Sequence, residues 1–359
     1  MKIKRCLYPF AFFGLQVLLL FASCSGSDPA VFPATEEGQE VALLFRLPSV
    51  EVRALEASPS VEQLAANTVF SVYAFRDNKN IGSGVYQVDG ADATQASAVT
   101  IGGVEKALKL TKGKYDLYFF SYHAAGTGTG DYPELSGSSV SVGNGKDFLS
   151  TSLKGLEIQA DHSAGTGGAK TFTVSMEEAP FRHLCARVKT TLELQQKPVA
   201  PKSVTGLSVK VRNLGGSGTY TPDLTDITTG ARGDGNEISF VFPSSGGSGG
   251  YTPDFNASPV QNQYSSDDTF LLPVDASSPL KFDLSMNVGY ISTQTGITGE
   301  KTQKVELDGY ELSRQLQAGK SYNFVFRLTF YGDYKPVGVV LDIQEYTPVG
   351  LPADGVGED

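Results

Sequence analysis

Apolar and polar residues alternate with a period of two through most of the chain. Val41, Leu43, Phe45 and Leu47 share one side of a stretch whose other side is less apolar. Phe282, Leu284, Met286, Val288 and Tyr290 oppose Asp283, Ser285, Asn287 and Gly289, and Tyr322, Phe324, Phe326, Leu328 and Phe330 oppose Asn323, Arg327 and Thr329. Successive side chains of a strand point to opposite faces, so this period predicts half-buried antiparallel strands. Around residue 70 both sides are apolar, with Phe70, Val72 and Ala74 against Val69, Tyr73 and Phe75, which predicts a strand buried on two faces. Further strands are predicted over Tyr115 to Tyr122, Phe172 to Met176, Ala186 to Leu194, Leu207 to Val211, Ile238 to Phe242 and Val337 to Ile343. Glycine-rich turns separate them at 126–130, 143–145, 165–168 and 246–250.

The one helix signal is short, from Ser58-Pro59 to Ala66, with the proline suited to a first helical turn. An all-β chain of two antiparallel β-sandwich domains in tandem follows, divided near Glu178-Ala179-Pro180 into 54–179 and 180–359. One short duplication is visible: residues 215–223 (GGSGTYTPD) echo residues 246–254 (GGSGGYTPD). Two copies are too few for a solenoid and read as matched turns.

The amino end departs from this pattern. Lys2, Lys4 and Arg5 precede an apolar run from Tyr8 to Ala22 broken by Gln16, too short for a comfortable membrane span and suited to an export signal over residues 1–23. It closes on Phe21-Ala22-Ser23-Cys24, which resembles a bacterial lipobox, with Cys24 as the acylated residue; the competing reading is a plain signal peptide with an incidental cysteine. Lipidation accounts for the cysteines, since Cys6 leaves with the signal, Cys24 carries palmitate-type chains and Cys185 remains alone as a buried apolar residue. Acylation by more than one chain gives stable attachment, here to an outer membrane. Residues 24–53 then comprise a polar tether and the first strand.

Charge and composition narrow the function. Net charge is -10 at pH 7 and falls to -13 once Lys2, Lys4 and Arg5 are removed, which excludes nucleic acid as a partner. His123, His162 and His183 are not spaced as metal ligands, no calcium loop occurs and no nucleophile-elbow motif is present, so neither an enzyme nor a metal or cofactor site is expected. Arg232-Gly233-Asp234 is either an adhesive tripeptide on a loop or a plain hairpin turn. Sixteen tyrosines without a tryptophan leave glycan binding open, with Tyr220, Tyr251 and Tyr264 as candidate groove residues.

The run Glu40 to Leu55 places a strand before a basic residue, with Arg53-Ala54 behind the lipid signal. This resembles the fimbrillin family, the subunits of type V pili on Gram-negative anaerobes. Pro180 to Val188 is similar to the family segment that opens the second domain, and Leu316 to Tyr322 to the turn before its late strand. Near the carboxyl end this chain has Tyr346-Thr347-Pro348 where many relatives carry tryptophan.

The resemblance implies two transthyretin-like sandwiches and a removable first strand, Val41, Leu43, Phe45 and Leu47, that fills a groove until a trypsin-like arginine-specific protease cuts between Arg53 and Ala54. Arg46 is the competing cut site. A neighbouring pilus subunit then donates a strand, for which Val337, Val339, Leu341 and Ile343 are the candidate alternates. The expected product is a structural subunit of an adhesive cell-surface fimbria, exported as an outer membrane lipoprotein. The alternative is a surface-anchored glycan- or nutrient-binding lipoprotein.

Overall fold

The computed structural model describes residues 40–47, 64–125, 132–159, 170–222, 226–243, 250–292, 299–332 and 338–345. Among these residues every regular element is a strand, and residues 38–359 form one compact unit. The signal, Cys24, the helix signal up to residue 63, Arg53, Ala54 and Val337 lie outside the described residues; Leu64 to Ala66, the end of that helix signal, is not helical.

The first half is built on one nine-stranded sheet. Its hydrogen-bonded order is Thr171–Ser175, Val41–Arg46, Gln95–Ala98, Lys79–Val88, Thr68–Arg76, Gly113–Ala125, Leu149–Ile158 and Arg182–His183, with Lys109–Leu110 also on Val41–Arg46. The sheet curls over its own apolar face. Phe45 lies three steps from Thr68–Arg76 in that order, yet its ring sits 6.1 Å from Phe70 and 5.3 Å from Phe119.

The second half is a sandwich of two five-stranded sheets. One runs Gln263–Ser265, Ala186–Leu194, Ser321–Thr329, Gly338–Glu345, with Thr269–Leu271 also on Ala186–Leu194. The other runs Ile238–Phe240, Pro201–Arg212, Leu280–Ile291, Glu300–Leu312, with Gly250–Tyr251 also on Pro201–Arg212. The alternating residues meet between the sheets, as where Phe282 packs 4.8 Å from Phe324 and 5.8 Å from Phe326.

The doubly apolar strand joins two cores. Phe70, Val72 and Ala74 enter the first-half core, whereas Tyr73 and Phe75 join a separate cluster with Phe120, Phe148, Leu184, Cys185, Tyr220 and Leu272. That cluster draws on both halves. A four-stranded sheet reinforces it, in which Ser139–Val142 pairs with Gly218–Tyr220. The echoing segments are thus more than matched turns. Each contains a short strand carrying a buried tyrosine, Tyr220 in the junction sheet and Tyr251 in the second half, so near-identical residues serve two different cores.

Candidate functional site

Val41–Arg46 is inserted between partners on both edges. One edge runs parallel to Thr171–Ser175; the other runs antiparallel to Gln95–Ala98 and Lys109–Leu110. Ala42 N–H donates to the Lys170 carbonyl at 3.0 Å and Leu43 N–H to the Leu108 carbonyl at 2.9 Å, while Met176 N–H donates to the Arg46 carbonyl at 2.9 Å. Gly84 permits the close approach of Leu108, because a Cβ there would stand 2.7 Å from the Leu108 nitrogen.

The alternation decides what this strand fills. Val41, Leu43, Phe45 and Leu47 are all buried, whereas Leu44 and Arg46 face out. The Phe45 ring stands edge-on to Tyr86 at 4.6 Å, with Phe70 and Phe119 around it. Tyr86 also ties the strand from behind, donating its hydroxyl to the Leu43 carbonyl at 3.0 Å and accepting from Leu108 N–H at 2.8 Å. Burial pushes the Tyr86 phenol up, so it stays a neutral donor. Burying four such side chains contributes about 6–12 kcal/mol before ordering costs. Without the strand, its groove is an apolar slot bordered by two unpaired edges.

Val339, Leu341 and Ile343 lie in Gly338–Glu345, the edge strand of a second-half sheet. It pairs antiparallel with Ser321–Thr329 of its own chain and turns these three side chains onto the second core, Leu341 being buried and Val339 and Ile343 partly so. Its other edge has no strand partner among the described residues, and Val340 is 59% exposed.

The remaining candidates fall inside the fold. Arg46 is exposed in side chain but held between Gln95 and Ser175 in backbone register, which denies a protease the free extended chain it needs. Arg232 donates to the Asn213 carbonyl at 2.8 Å and lies 3.9 Å from Asp275, and Asp234 pairs with Lys281 at 3.0 Å, so the tripeptide is a braced turn. Tyr220 is buried in the junction cluster, whereas Tyr251 and Tyr264 pack with tilted rings 4.2 Å apart against the second core. No shared tyrosine groove results. Burial pushes the Cys185 thiol up to about 12, which leaves it an inert packing residue.

A cluster unreadable from spacing lies beside the junction. His123, Asp147 and His183 converge, with His183 Nδ1 2.8 Å from Asp147 Oδ2 and His123 Nδ1 3.3 Å from the same oxygen. Burial would raise the Asp147 carboxyl, but hydrogen bonds from His123 and His183 and their charge outweigh it and hold the group below its ordinary value.

No family model matches the chain, and no curated protein does. Among solved structures it is similar to a candidate cell adhesion protein from Bacteroides fragilis, at 16% identity and a TM-score of 0.46 over 88% of this chain and 100% of that one. It is also similar to the fimbrial anchor protein Mfa2 from Porphyromonas gingivalis, at 13% identity and a TM-score of 0.37 over 86% of this chain and 98% of that one. A fimbrial assembly protein from Parabacteroides distasonis aligns at 11% identity and a TM-score of 0.36 over 86% and 98%.

Proposed function

We propose that this chain is a structural, non-catalytic subunit of an adhesive cell-surface fimbria, exported as a lipoprotein acylated at Cys24 and matured by cleavage between Arg53 and Ala54. The observation that carries the reading is the burial of Val41, Leu43, Phe45 and Leu47 between two sets of edge partners. Such a ribbon is a plug: its loss leaves a slot that a strand of matching alternation fills by main-chain hydrogen bonding. Gly338–Glu345 has that alternation and occupies a sheet edge, so it is the segment to be donated to another subunit. The protease partner is trypsin-like and arginine-specific, and Arg53 is its site because Arg46 is locked in the sheet. The outer membrane holds the precursor through its lipid, and the cell surface holds the assembled form.

Amino-terminal sequencing of the protein recovered from the cell surface tests this directly. An unacylated chain beginning at Ala54 in fibres is the expected result. Recovery of only the intact acylated chain, in cells that bear fibres, overturns the maturation step and leaves at most a membrane-bound anchor.

A further inference from the structure

We propose that His123, Asp147 and His183 form a three-ligand site for a divalent transition metal ion of the zinc class, placed where the chain passes from the first core to the second. One donor atom from each residue lies within 4.8 Å of the others. The His183 and His123 Nδ1 atoms stand 2.8 and 3.3 Å from Asp147 Oδ2. Zinc bound tetrahedrally at its usual 2.0–2.1 Å separates neighbouring donors by about 3.3 Å, so the two histidine–aspartate contacts need open by no more than about half an ångström, while the two histidine donors, within 4.8 Å of each other, need draw together by up to about 1.5 Å. Two imidazoles and one carboxylate are a borderline nitrogen and oxygen set, which suits zinc better than calcium or magnesium.

The local backbone is built to deliver these groups. His123 has φ of 51°, a left-handed conformation uncommon for a residue with a Cβ. It sits where Gly113–Ala125 slips register against its neighbour, Phe70 pairing with Ser121 but Thr68 with Ala125. Such bulges re-aim side chains. Here the bulge turns His123 toward Asp147 instead of leaving it in the sheet's alternation, and Ser121 Oγ steadies the turn by accepting from His123 N–H at 3.0 Å. Asp147 and His183 are 3% and 5% exposed in their side chains, and a carboxylate so buried persists where it is paired or coordinated. His123 is 18% exposed, which leaves an open side for water as a fourth ligand. Coordination through both Nδ1 atoms places each neutral ring's proton on Nε2.

The ion would tie three segments together. His123 lies two residues before the end of a first-half strand, Asp147 precedes Phe148 of the junction cluster, and His183 lies two residues before Cys185, also of that cluster. Bound metal therefore stabilises the crossing between the halves, independently of whether the first strand is exchanged.

The test uses the full-length chain, stripped with chelator and titrated with zinc sulfate. One zinc per chain by calorimetry, a Tm raised by several degrees at saturating zinc, and visible absorption of tetrahedral cobalt on Co2+ substitution are expected. His123→Asn keeps a residue that tolerates the left-handed backbone, and it should fold normally while losing at least tenfold in zinc affinity. His183→Gln should lose the site as well, but its burial threatens folding, so His123→Asn is the deciding variant. No binding heat and no Tm shift in the parent, or zinc binding unchanged in His123→Asn, overturns the proposal.

Discussion

The first strands of the two halves hold the same place in their sheets. Val41–Arg46 lies between a parallel neighbour, Thr171–Ser175, and two short antiparallel segments. Ala186–Leu194 likewise lies between a parallel neighbour, Ser321–Thr329, and two short antiparallel segments, Gln263–Ser265 and Thr269–Leu271. Pairing pattern therefore does not set the first strand apart. What differs is its margin. The parallel register covers Ala42 to Arg46 in the first half and the longer span Arg187 to Leu194 in the second. Thr171–Ser175 ends its sheet, whereas Ser321–Thr329 is covered in turn by Gly338–Glu345. One layout thus serves once as a strand with few ties beside a sheet edge and once as a strand braced three deep, and of the two the former fits the proposal of a removable ribbon.

The strongest way to break this comparison is to start the chain at Ala54. Losing the strand forfeits about 6–12 kcal/mol of gross apolar burial and leaves both flanking edges unpaired. The truncated protein should bind an apolar fluorescent dye, self-associate, and return to a dye-silent monomer when a peptide of residues 40–53 is added. A monomer as stable as the intact chain would show that the groove never depended on the strand.

Point substitutions sharpen the same contrast. Phe45→Ala removes the ring that Tyr86, Phe70 and Phe119 surround, and should cost about 3–5 kcal/mol in urea unfolding. Leu341→Ala, on the edge strand and 8% exposed, should cost about 2 kcal/mol, because one face and one edge of that strand have less to lose. Tyr86→Phe should cost about 1–2 kcal/mol by leaving Leu108 N–H unpaired and releasing the Leu43 carbonyl. Equal losses for Phe45→Ala and Leu341→Ala would erase the distinction between plug and edge.

Period-two alternation made most of the strands legible, and even the double burial of Thr68–Arg76, because each reading needs only neighbours in sequence. The cluster at His123 was not legible, since Asp147 lies 24 residues from His123 and 36 from His183 and only the folded sheet closes those gaps. The one local trace is a histidine near the end of Gly113–Ala125, shortly after its apolar run Leu117 to Phe120. Tyr220 and Tyr251 teach a related lesson. Their surrounding residues are nearly the same, yet one pairs across the junction and the other within the second half, because register with a distant strand decides the outcome.

The smallest expected effect lies on the edge strand itself. Arg327 reaches Glu193 Oε2 at 3.4 Å and Asp342 Oδ2 at 3.3 Å, so one guanidinium spans the strands Ala186–Leu194, Ser321–Thr329 and Gly338–Glu345. The Arg327 and Asp342 side chains are 38% and 46% exposed, and pairs so wet contribute below about 1 kcal/mol. Asp342→Asn should leave global unfolding almost unchanged, since Arg327 keeps Glu193, while amides of residues 338–345 exchange a few-fold faster. Added salt should narrow the gap between variant and parent, as screening removes what the substitution removes. Amides of residues 41–46 should not respond at all. Were they to accelerate together with residues 338–345, the first strand and the edge strand would open as one cooperative unit, and the difference in margin between them would be lost.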